Sequence, residues 1–270
     1  MILLTGATGF VGRQVLKALA TRGLAVRAVV RQGTEARLPE PVASVMSTPD
    51  LFAEDAAWWA KACAGIDTAI HAAWYAEPGN YLHSPQNKEC LAGTLVFAEG
   101  AAAAGLRRFV GVGTCFEYDV SAGDLSVRTP LKPATPYAEA KAAAFAALSD
   151  FLPRNGVAFA WCRLFYLYGE GEDRRRLVPT LRNRLSRGEP VDLTGGTQVR
   201  DFLDVREAGA MIAEVALGTA TGPVNICSGV PITIRALAER IADQYGRRDL
   251  LRFGVRPDNA FDPPRIVGVR

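Results

Sequence analysis

The sequence predicts an α/β fold in which a doubly wound parallel sheet is joined to a small C-terminal lobe. An apolar run, a glycine turn and a segment of helical spacing follow one another from the first residue. Short apolar segments then alternate with helical patterns, which is typical of a parallel sheet covered by helices on both faces. With 270 residues and 49% hydrophobic composition, the chain can form one large domain or two closely joined lobes. We expect a larger domain at residues 1–165 with 198–220 packing back onto it, and a smaller lobe from residues 166–197 and 221–270.

Composition and charge exclude several classes of protein. The net charge of +3 is too small to indicate a nucleic acid as partner. Charge or glycine interrupts the apolar stretches before the ~20 residues of a membrane span, and no basic segment precedes the apolar N-terminus, so we expect neither a span nor a signal peptide. Two histidines are too few for a histidine metal centre. The cysteines are scattered without a CxxC pair, which indicates buried thiols in a reducing cytoplasm: Cys63, Cys90, Cys115, Cys162 and Cys227.

The N-terminal glycine turn indicates a nucleotide site. Residues 1–5 predict a strand and residues 13–20 predict a helix. A glycine turn between them lets the backbone approach a pyrophosphate, and the helix N-terminus offers free N–H groups and a partial positive charge. This context is far more specific than a glycine triplet alone and predicts a Rossmann-type domain, with a plain βα turn as the alternative. The residues expected at the cofactor are Gly6, Thr8, Gly9, Phe10, Val11 and Gly12.

The string TGATGFVG at residues 5–12 resembles the short-chain dehydrogenase/reductase superfamily, in particular its extended branch of NAD(P)-dependent nucleotide-sugar epimerases, dehydratases and reductases. The resemblance runs to about Tyr245 and implies further cofactor contacts. Asp50 and Leu51 correspond to a pair near the adenine, and Ala72 and Ala73 to small residues beside the ribose and phosphates. Asn87 corresponds to an asparagine at a helix start that supports the active site. Leu164 and Phe165 correspond to two residues by the nicotinamide. For Asn87, a plain helix cap is the alternative.

Arg31, which follows the predicted second strand, favours NADP over NAD. Chains that prefer NAD carry an acid about 20 residues past the glycine turn, where it binds the ribose 2′-hydroxyl. An arginine can instead pair with the 2′-phosphate of NADP, which a carboxylate would repel. The alternative is that Arg31 lies over the adenine. We therefore expect NADP, and NAD stays open.

A hydroxyl, a tyrosine and a lysine form the predicted catalytic group. Thr114 follows the predicted fifth strand and takes the hydroxyl position of the superfamily's Ser/Thr-x-x-x-Tyr segment. Tyr137 and Lys141 match its YxxxK pair, and their spacing puts both side chains on one face of a helix. A phenol with a pKa of ~10 is a poor acid–base catalyst at neutral pH, and a nearby ammonium lowers that pKa. In the superfamily the lysine also binds the nicotinamide ribose, so we expect Tyr137 and Lys141 at the cofactor as well.

The predicted substrate contacts depart from the commonest pattern of the family. Its 4,6-dehydratases resemble one another in an Asp-Glu pair directly after the catalytic threonine, and Cys115 and Phe116 stand there, which argues against dehydration. Tyr166 replaces the usual asparagine that faces the sugar. Arg200 begins a match to the family's R-D-F-x-x-V, whose arginine contacts the nucleotide diphosphate in several members; a surface ion pair is the alternative. Trp74 opens a loop at the carboxyl end of the sheet, where ligands bind.

These observations favour an NADPH-dependent reductase of a nucleotide-activated 4-keto-6-deoxy sugar. A reductase needs a hydride from the cofactor and a proton from Tyr137. A 4-epimerase with tightly bound NAD uses the same three residues and stays open, although an acid is usual where Arg31 stands. Two further alternatives are a small-molecule ketone or aldehyde reductase and a non-catalytic NADP-sensing regulator. Arg200 and the cluster of arginines at residues 174–176, 182, 184 and 187 disfavour a neutral substrate, and the tyrosine–lysine pair disfavours the regulator. The resemblance also implies a homodimer through the helices at Asn87–Ala104 and Tyr137–Leu148.

Overall fold

The computed structural model describes residues 1–259 and 262–270. Its strands are β1 (Ile2–Thr5), β2 (Val26–Arg31), β3 (Ser44–Thr48), β4 (Thr68–His71), β5 (Arg108–Thr114), β6 (Asp124–Leu125), β7 (Ala158–Leu164), β8 (Tyr166–Tyr168), β9 (Val191–Asp192), β10 (Val199–Asp204), β11 (Gly222–Ile226), β12 (Pro231–Thr233), β13 (Leu251–Arg252) and β14 (Arg265–Gly268). Its α-helices are α1 (Phe10–Thr21), α2 (Ala56–Cys63), α3 (Gln86–Ala103), α4 (Pro136–Arg154), α5 (Leu177–Ser186), α6 (Val205–Leu217) and α7 (Ile234–Asp243).

A seven-stranded parallel sheet forms the centre of the molecule, in the order β11-β7-β5-β4-β1-β2-β3. Its middle strands are apolar on both sides, as expected of a parallel sheet whose two faces are covered. Helices α1 and α6 pack on one face, and α2, α3 and α4 pack on the other. The carboxyl ends of all seven strands therefore meet at one edge. This is the α/β, Rossmann-type doubly wound sheet that the sequence predicts.

The last strand of this sheet comes from the C-terminal part of the chain. Residues 222–226, which the sequence analysis assigns to the smaller lobe, form β11 and pair in parallel with β7. Strand β10, placed by the sequence in the segment that packs back, lies instead in the second sheet. The chain leaves that sheet through α6, which packs against α1, and returns to the large sheet at β11. From β7 to β12, the chain thus crosses between the two sheets after β7, after β10 and again after β11.

The smaller lobe is built on the second sheet, in the order β12-β10-β14-β6, with β8 also paired to β10. Helices α5 and α7 enclose a separate apolar core with the two-stranded sheet of β9 and β13. All five cysteines are buried free thiols, as predicted. Helices α3 and α4 pack side by side on the large sheet, and a dimer through them stays a prediction.

Asp201, on β10 of the smaller lobe, ties that strand to the loop that follows β11 of the large sheet. Its side chain is fully buried on β10. One carboxylate oxygen accepts hydrogen bonds from the backbone N–H and the hydroxyl of Ser228, at 2.7 and 2.6 Å. The other accepts from the N–H groups of Gly229 and Gly268, at 2.8 and 3.1 Å. One side chain thus satisfies three backbone donors from the loop after β11 and from β14.

We expect Asp201→Ala to lower the free energy of unfolding by about 3 kcal/mol or more, because it leaves three backbone donors without their partner and a buried unpaired donor costs about 1–3 kcal/mol. The matched control is Asp150→Ala, which removes an exposed ion pair with Arg154 on α4 and should cost well under 1 kcal/mol. Urea unfolding measured by circular dichroism compares the two variants. Equal stabilities would contradict the role given to Asp201.

Candidate active site

The glycine turn forms a cradle beside the backbone, and a Cβ atom at either Gly6 or Gly12 would collide with neighbouring backbone atoms. Gly6 has φ +74°, and a Cβ there would lie 2.8 Å from the backbone of Ala72 and Ala73, the two residues after β4. A Cβ on Gly12 would overlap the carbonyl oxygen of Gly6. Helix α1 begins after Gly9, with no side chain capping it and no acid in its first turn. The first-turn N–H groups are therefore available to an anion, which fits the pyrophosphate of a dinucleotide.

The neighbouring strand ends carry the residues expected near the adenosine half of a dinucleotide. Arg31 ends β2 with an exposed side chain. Asp50 follows β3, is exposed and accepts a hydrogen bond from the Phe52 N–H at 2.9 Å. Leu51 packs against the apolar cluster beneath α2 and α3. Arg31 and Asp50 thus stand at the same edge of the sheet as the glycine turn.

Thr114, Tyr137 and Lys141 meet beyond the end of β5. Thr114 is the last residue of that strand, and α4 begins where the Thr135 hydroxyl accepts from the Ala138 N–H at 3.2 Å. Burial raises the pKa of Tyr137, and a hydrogen bond with the Thr114 side chain opposes that rise. Lys141 is 3% exposed, and its Nζ donates to the Val112 carbonyl at 2.6 Å. Burial lowers the pKa of Lys141 to about 7, while the nearby charges of Glu117 and Cys90 raise it.

Glu117 lies beneath this group and is fully buried. Its carboxylate accepts hydrogen bonds from the Thr114 N–H at 2.8 Å, from Trp161 Nε1 at 2.9 Å and from Arg163 Nε at 2.7 Å. The carboxylate is therefore committed to the protein and is not placed as an acid for the substrate. The sequence analysis did not assign Glu117, although a threonine followed three residues later by glutamate is the pattern of a capping box, and this structure forms one.

Trp74 and Asn87, predicted at the substrate and at the cofactor, form a pair beside the catalytic lysine. Trp74 Nε1 donates to Asn87 Oδ1 at 2.9 Å. The indole ring lies with its centroid 3.7 Å from Lys141 Nζ. The Asn87 amide donates to the carbonyls of Tyr81 and Ser84, at 2.7 and 3.0 Å, so its side chain is occupied by protein partners. The cap on α3 is not formed by Asn87, since the helix begins at Gln86.

The residues predicted on the sugar side and beside the nicotinamide differ in how deeply they are buried. Cys115 and Phe165 are 2% and 6% exposed and pack together with Cys227. Burial raises the pKa of the Cys115 thiol, which keeps it neutral. Phe116 and Tyr166 are partly buried and meet edge to face, with ring centroids 6.1 Å apart. Leu164 packs partly buried against the main core.

Arg200 is buried and already paired. It is 2% exposed and donates to the Val199 carbonyl at 2.8 Å and to Asp262 Oδ1 at 2.6 Å, with its guanidinium 5.4 Å from the Tyr166 ring. The alternative of a surface pair with Asp201 is wrong, because neither residue is at the surface and each has other partners. Asp262 also lines a cavity of about 390 Å³ with Thr194, Gln198, Ile234, Arg256, Pro257 and Asn259. Sequence reasoning missed this set because no spacing motif marks it.

Residues 1–259 and 262–270 hold neither a metal-binding cluster nor a helix suited to a membrane span. No cluster of three or more His, Cys, Asp or Glu side chains there could hold a metal ion. No helix in that part of the chain is long and apolar enough to cross a membrane. His71 is buried between Thr5 and Thr94, at 2.8 and 2.9 Å, and burial lowers its pKa to about 3. It is therefore a neutral residue packed within β4.

Comparisons with known proteins agree with this geometry. Residues 2–227 match the model of the NAD dependent epimerase/dehydratase family. The chain is 26% identical over its whole length, and 99% of the relative's, to dTDP-6-deoxy-L-talose 4-dehydrogenase (NAD(+)) of Aggregatibacter actinomycetemcomitans. It is 27% identical to dTDP-6-deoxy-L-talose 4-dehydrogenase (NAD(P)(+)) of Kitasatospora kifunensis, over 91% of this chain and 79% of that one. Among solved structures, MoeE5 with UDP-glucuronic acid and NAD superposes with a TM-score of 0.81 at 26% identity, covering 99% of this chain and 89% of that one.

We expect Gly12→Ala to weaken NAD(P)H binding by about 100-fold or more, equivalent to about 2.7 kcal/mol, because the added methyl group displaces the Gly6 carbonyl and closes the cradle. Isothermal titration with NADPH and NADH measures the affinity. Thr21→Ala, at the exposed end of the same helix, is the control and should bind as the wild type does. Unchanged affinity in the folded Gly12→Ala variant would contradict the placement of the pyrophosphate.

Proposed function

Since the chain belongs to the NAD dependent epimerase/dehydratase family, we propose that it is a reductase that uses NADPH to reduce the ketone of a nucleotide-activated 4-keto-6-deoxy sugar. The family makes it an NAD(P)-dependent enzyme of the short-chain dehydrogenase/reductase type. The observation that carries the finer proposal is the convergence of Thr114, Tyr137 and Lys141 above a carboxylate, Glu117, that is fully engaged by the protein. Such a site can move one proton at the oxygen of a ketone or alcohol. In the 4,6-dehydratases the two positions after the catalytic threonine carry the extra acids for dehydration, and in this chain they hold Cys115 and Phe116.

The chemistry follows from these three side chains. When bound on the glycine cradle, the nicotinamide cofactor supplies the hydride. Thr114 hydrogen-bonds the ketone oxygen and fixes its position beside Tyr137. Tyr137 then gives its proton to the oxygen as negative charge develops there, and the Lys141 ammonium stabilises the phenolate that is left. The relatives named as 4-dehydrogenases of dTDP-6-deoxy-L-talose carry out oxidation at carbon 4, which is the reverse of this reduction.

Two features favour an activated deoxy sugar as substrate. The rings of Phe116 and Tyr166 give the cleft an apolar wall, which suits the methyl group of a 6-deoxy sugar better than a hydroxymethyl group. Arg200 and the cavity that Arg256 and Asp262 line lie beyond Tyr166, where a nucleotide diphosphate would follow the sugar. Arg256 stands in the wall of that cavity as a second cation for the diphosphate.

We expect the purified protein to consume NADPH with one member of a panel of dTDP-, CDP-, GDP- and UDP-linked 4-keto-6-deoxy sugars, with the dTDP sugar as the first choice. Loss of absorbance at the reduced nicotinamide band measures the rate. Tyr137→Phe should lower kcat by about 1,000-fold, because it removes the proton donor and leaves the ring. The circular dichroism spectrum of the variant reports whether it folds. Turnover unchanged in this variant would overturn the mechanism, and NAD bound to the protein as purified, without NADPH consumption, would favour the 4-epimerase.

Arg31 supports NADPH as the cofactor, and we expect Arg31→Glu to raise the KM for NADPH about tenfold or more while that for NADH falls or stays constant. A charge-assisted hydrogen bond contributes about 1.5–3 kcal/mol, and the new carboxylate repels the 2′-phosphate. The control is Arg107→Ala, an exposed arginine before the amino end of β5 that pairs with Asp67. Equal changes in the KM for NADPH and for NADH would show that Arg31 does not bind the 2′-phosphate.

A further inference from the structure

Lys141 is a buried ammonium that lies near both polar groups and aromatic rings. Its Nζ donates a hydrogen bond to the Val112 carbonyl, and Glu117 and Cys90 lie close to it. The Trp74 ring centroid lies 3.7 Å from Nζ and that of Trp161 lies 5.7 Å away. A desolvated cation over an indole face is held by the negative face of the ring. The reaction scheme above uses the charge on Lys141 and does not use Trp74.

Trp74 is itself fixed by the chain around it. Its Nε1 donates to the buried amide of Asn87, and that amide in turn donates to the carbonyls of Tyr81 and Ser84. The indole also meets the Phe52 ring edge to face, with centroids 6.3 Å apart. The ring therefore keeps one orientation, which a cation–π contact with Lys141 requires.

The loop between β4 and α3, which carries Trp74, also contacts the catalytic tyrosine through Tyr81 and Leu82. The Tyr81 ring packs edge to face against Tyr137, with centroids 4.8 Å apart. The Tyr137 N–H donates to the Leu82 carbonyl at 3.1 Å. Asn87 thus links the tryptophan over the lysine to the loop against the tyrosine, through Trp74 on one side and Tyr81 on the other.

We propose that Trp74 is a positioning residue, whose indole face, oriented by Asn87, keeps Lys141 charged and aligned with Tyr137. This inference rests on the proposed function for its effect on turnover, and not for its effect on the lysine. It departs from the expectation that Trp74 contacts the substrate. It also gives Asn87 a definite task, since the asparagine acts on the lysine through the indole.

The charged and titratable groups that face Lys141 set the direction of the effect. Glu117 below Thr114 and Cys90 on α3 both raise the pKa of Lys141, and burial lowers it to about 7. His71 on β4 is kept neutral by burial, since its pKa falls to about 3. Tyr137 lies one turn away with its pKa raised by burial, so it carries no charge at neutral pH. The contact with the indole favours the charged lysine, so we expect the pKa of Lys141 to fall further when the indole is removed.

The direct test is a ¹³C NMR titration of the lysine ε-carbons, which needs neither cofactor nor substrate. The chain has five lysines, so five signals are expected, and Lys141→Arg assigns the one of interest. We expect Trp74→Leu to lower the pKa of Lys141 by about one unit. Trp74→Phe keeps a weaker aromatic face and should give a smaller decrease. Trp58→Leu removes a partly buried tryptophan on α2 and should leave the pKa unchanged.

Kinetics separate this proposal from the proposed function. A catalyst that needs charged Lys141 loses activity as the pH rises through the lysine pKa, so in Trp74→Leu the fall in kcat should begin about one unit lower. A lysine pKa that is the same in Trp74→Leu and the wild type overturns the inference, as does a rise in KM alone, which would mark a substrate contact. A shifted lysine pKa without turnover of any keto sugar would support the inference and count against the reductase. Should Trp74→Leu not fold, the titration of Trp74→Phe decides in the same way.

Discussion

The buried pair of Glu117 and Arg163 is the interaction on which the active site depends. It joins the turn after β5 to the carboxyl end of β7, and the two side chains are 0% and 1% exposed. Breaking such a pair leaves a buried charge, which is far more destabilising than the net contribution of the intact pair. The same carboxylate accepts the Thr114 N–H, so the position of the catalytic hydroxyl is fixed by the pair that ties the two strands. The guanidinium is in turn stacked over the rings of Tyr118 and Phe145.

This buried carboxylate also decides which kind of catalyst Tyr137 can be. Burial and the charge of Glu117 both raise the pKa of Tyr137, and the same charge helps Lys141 stay protonated against burial. Under the proposed function, the phenol would keep its proton until the carbonyl oxygen of the substrate becomes an alkoxide, which is a stronger base. A tyrosine that holds its proton in this way suits the reductive direction. The charged lysine is then needed after the transfer, when the phenolate has formed.

The sequence predicted well what is encoded locally. The glycine turn and the four-residue spacing of Tyr137 and Lys141 each depend on a few adjacent residues, and the structure places them as expected. Contacts between distant segments could not be inferred in this way. That Cys115 is buried against Phe165 and Cys227, that Arg200 pairs with Asp262 and that β11 completes the large sheet all follow from how remote parts of the chain pack. Glu117 falls between these cases, because its capping pattern is local but its arginine partner is 46 residues away.

The pairing of Arg200 has a consequence for the substrate. A buried guanidinium cannot be left without a counter-charge, so a ligand that takes Arg200 must bring negative charge of its own to replace Asp262. A nucleotide diphosphate can do this, because it presents several acceptor oxygens, and Asp262 is partly exposed at the cavity wall, where water can solvate it on release. A small neutral ketone offers no such charge and would leave the ion pair intact. Under the proposed function, this arrangement would favour an anionic nucleotide carrier, because the phosphates of the ligand would replace the Asp262 carboxylate as the partner of Arg200.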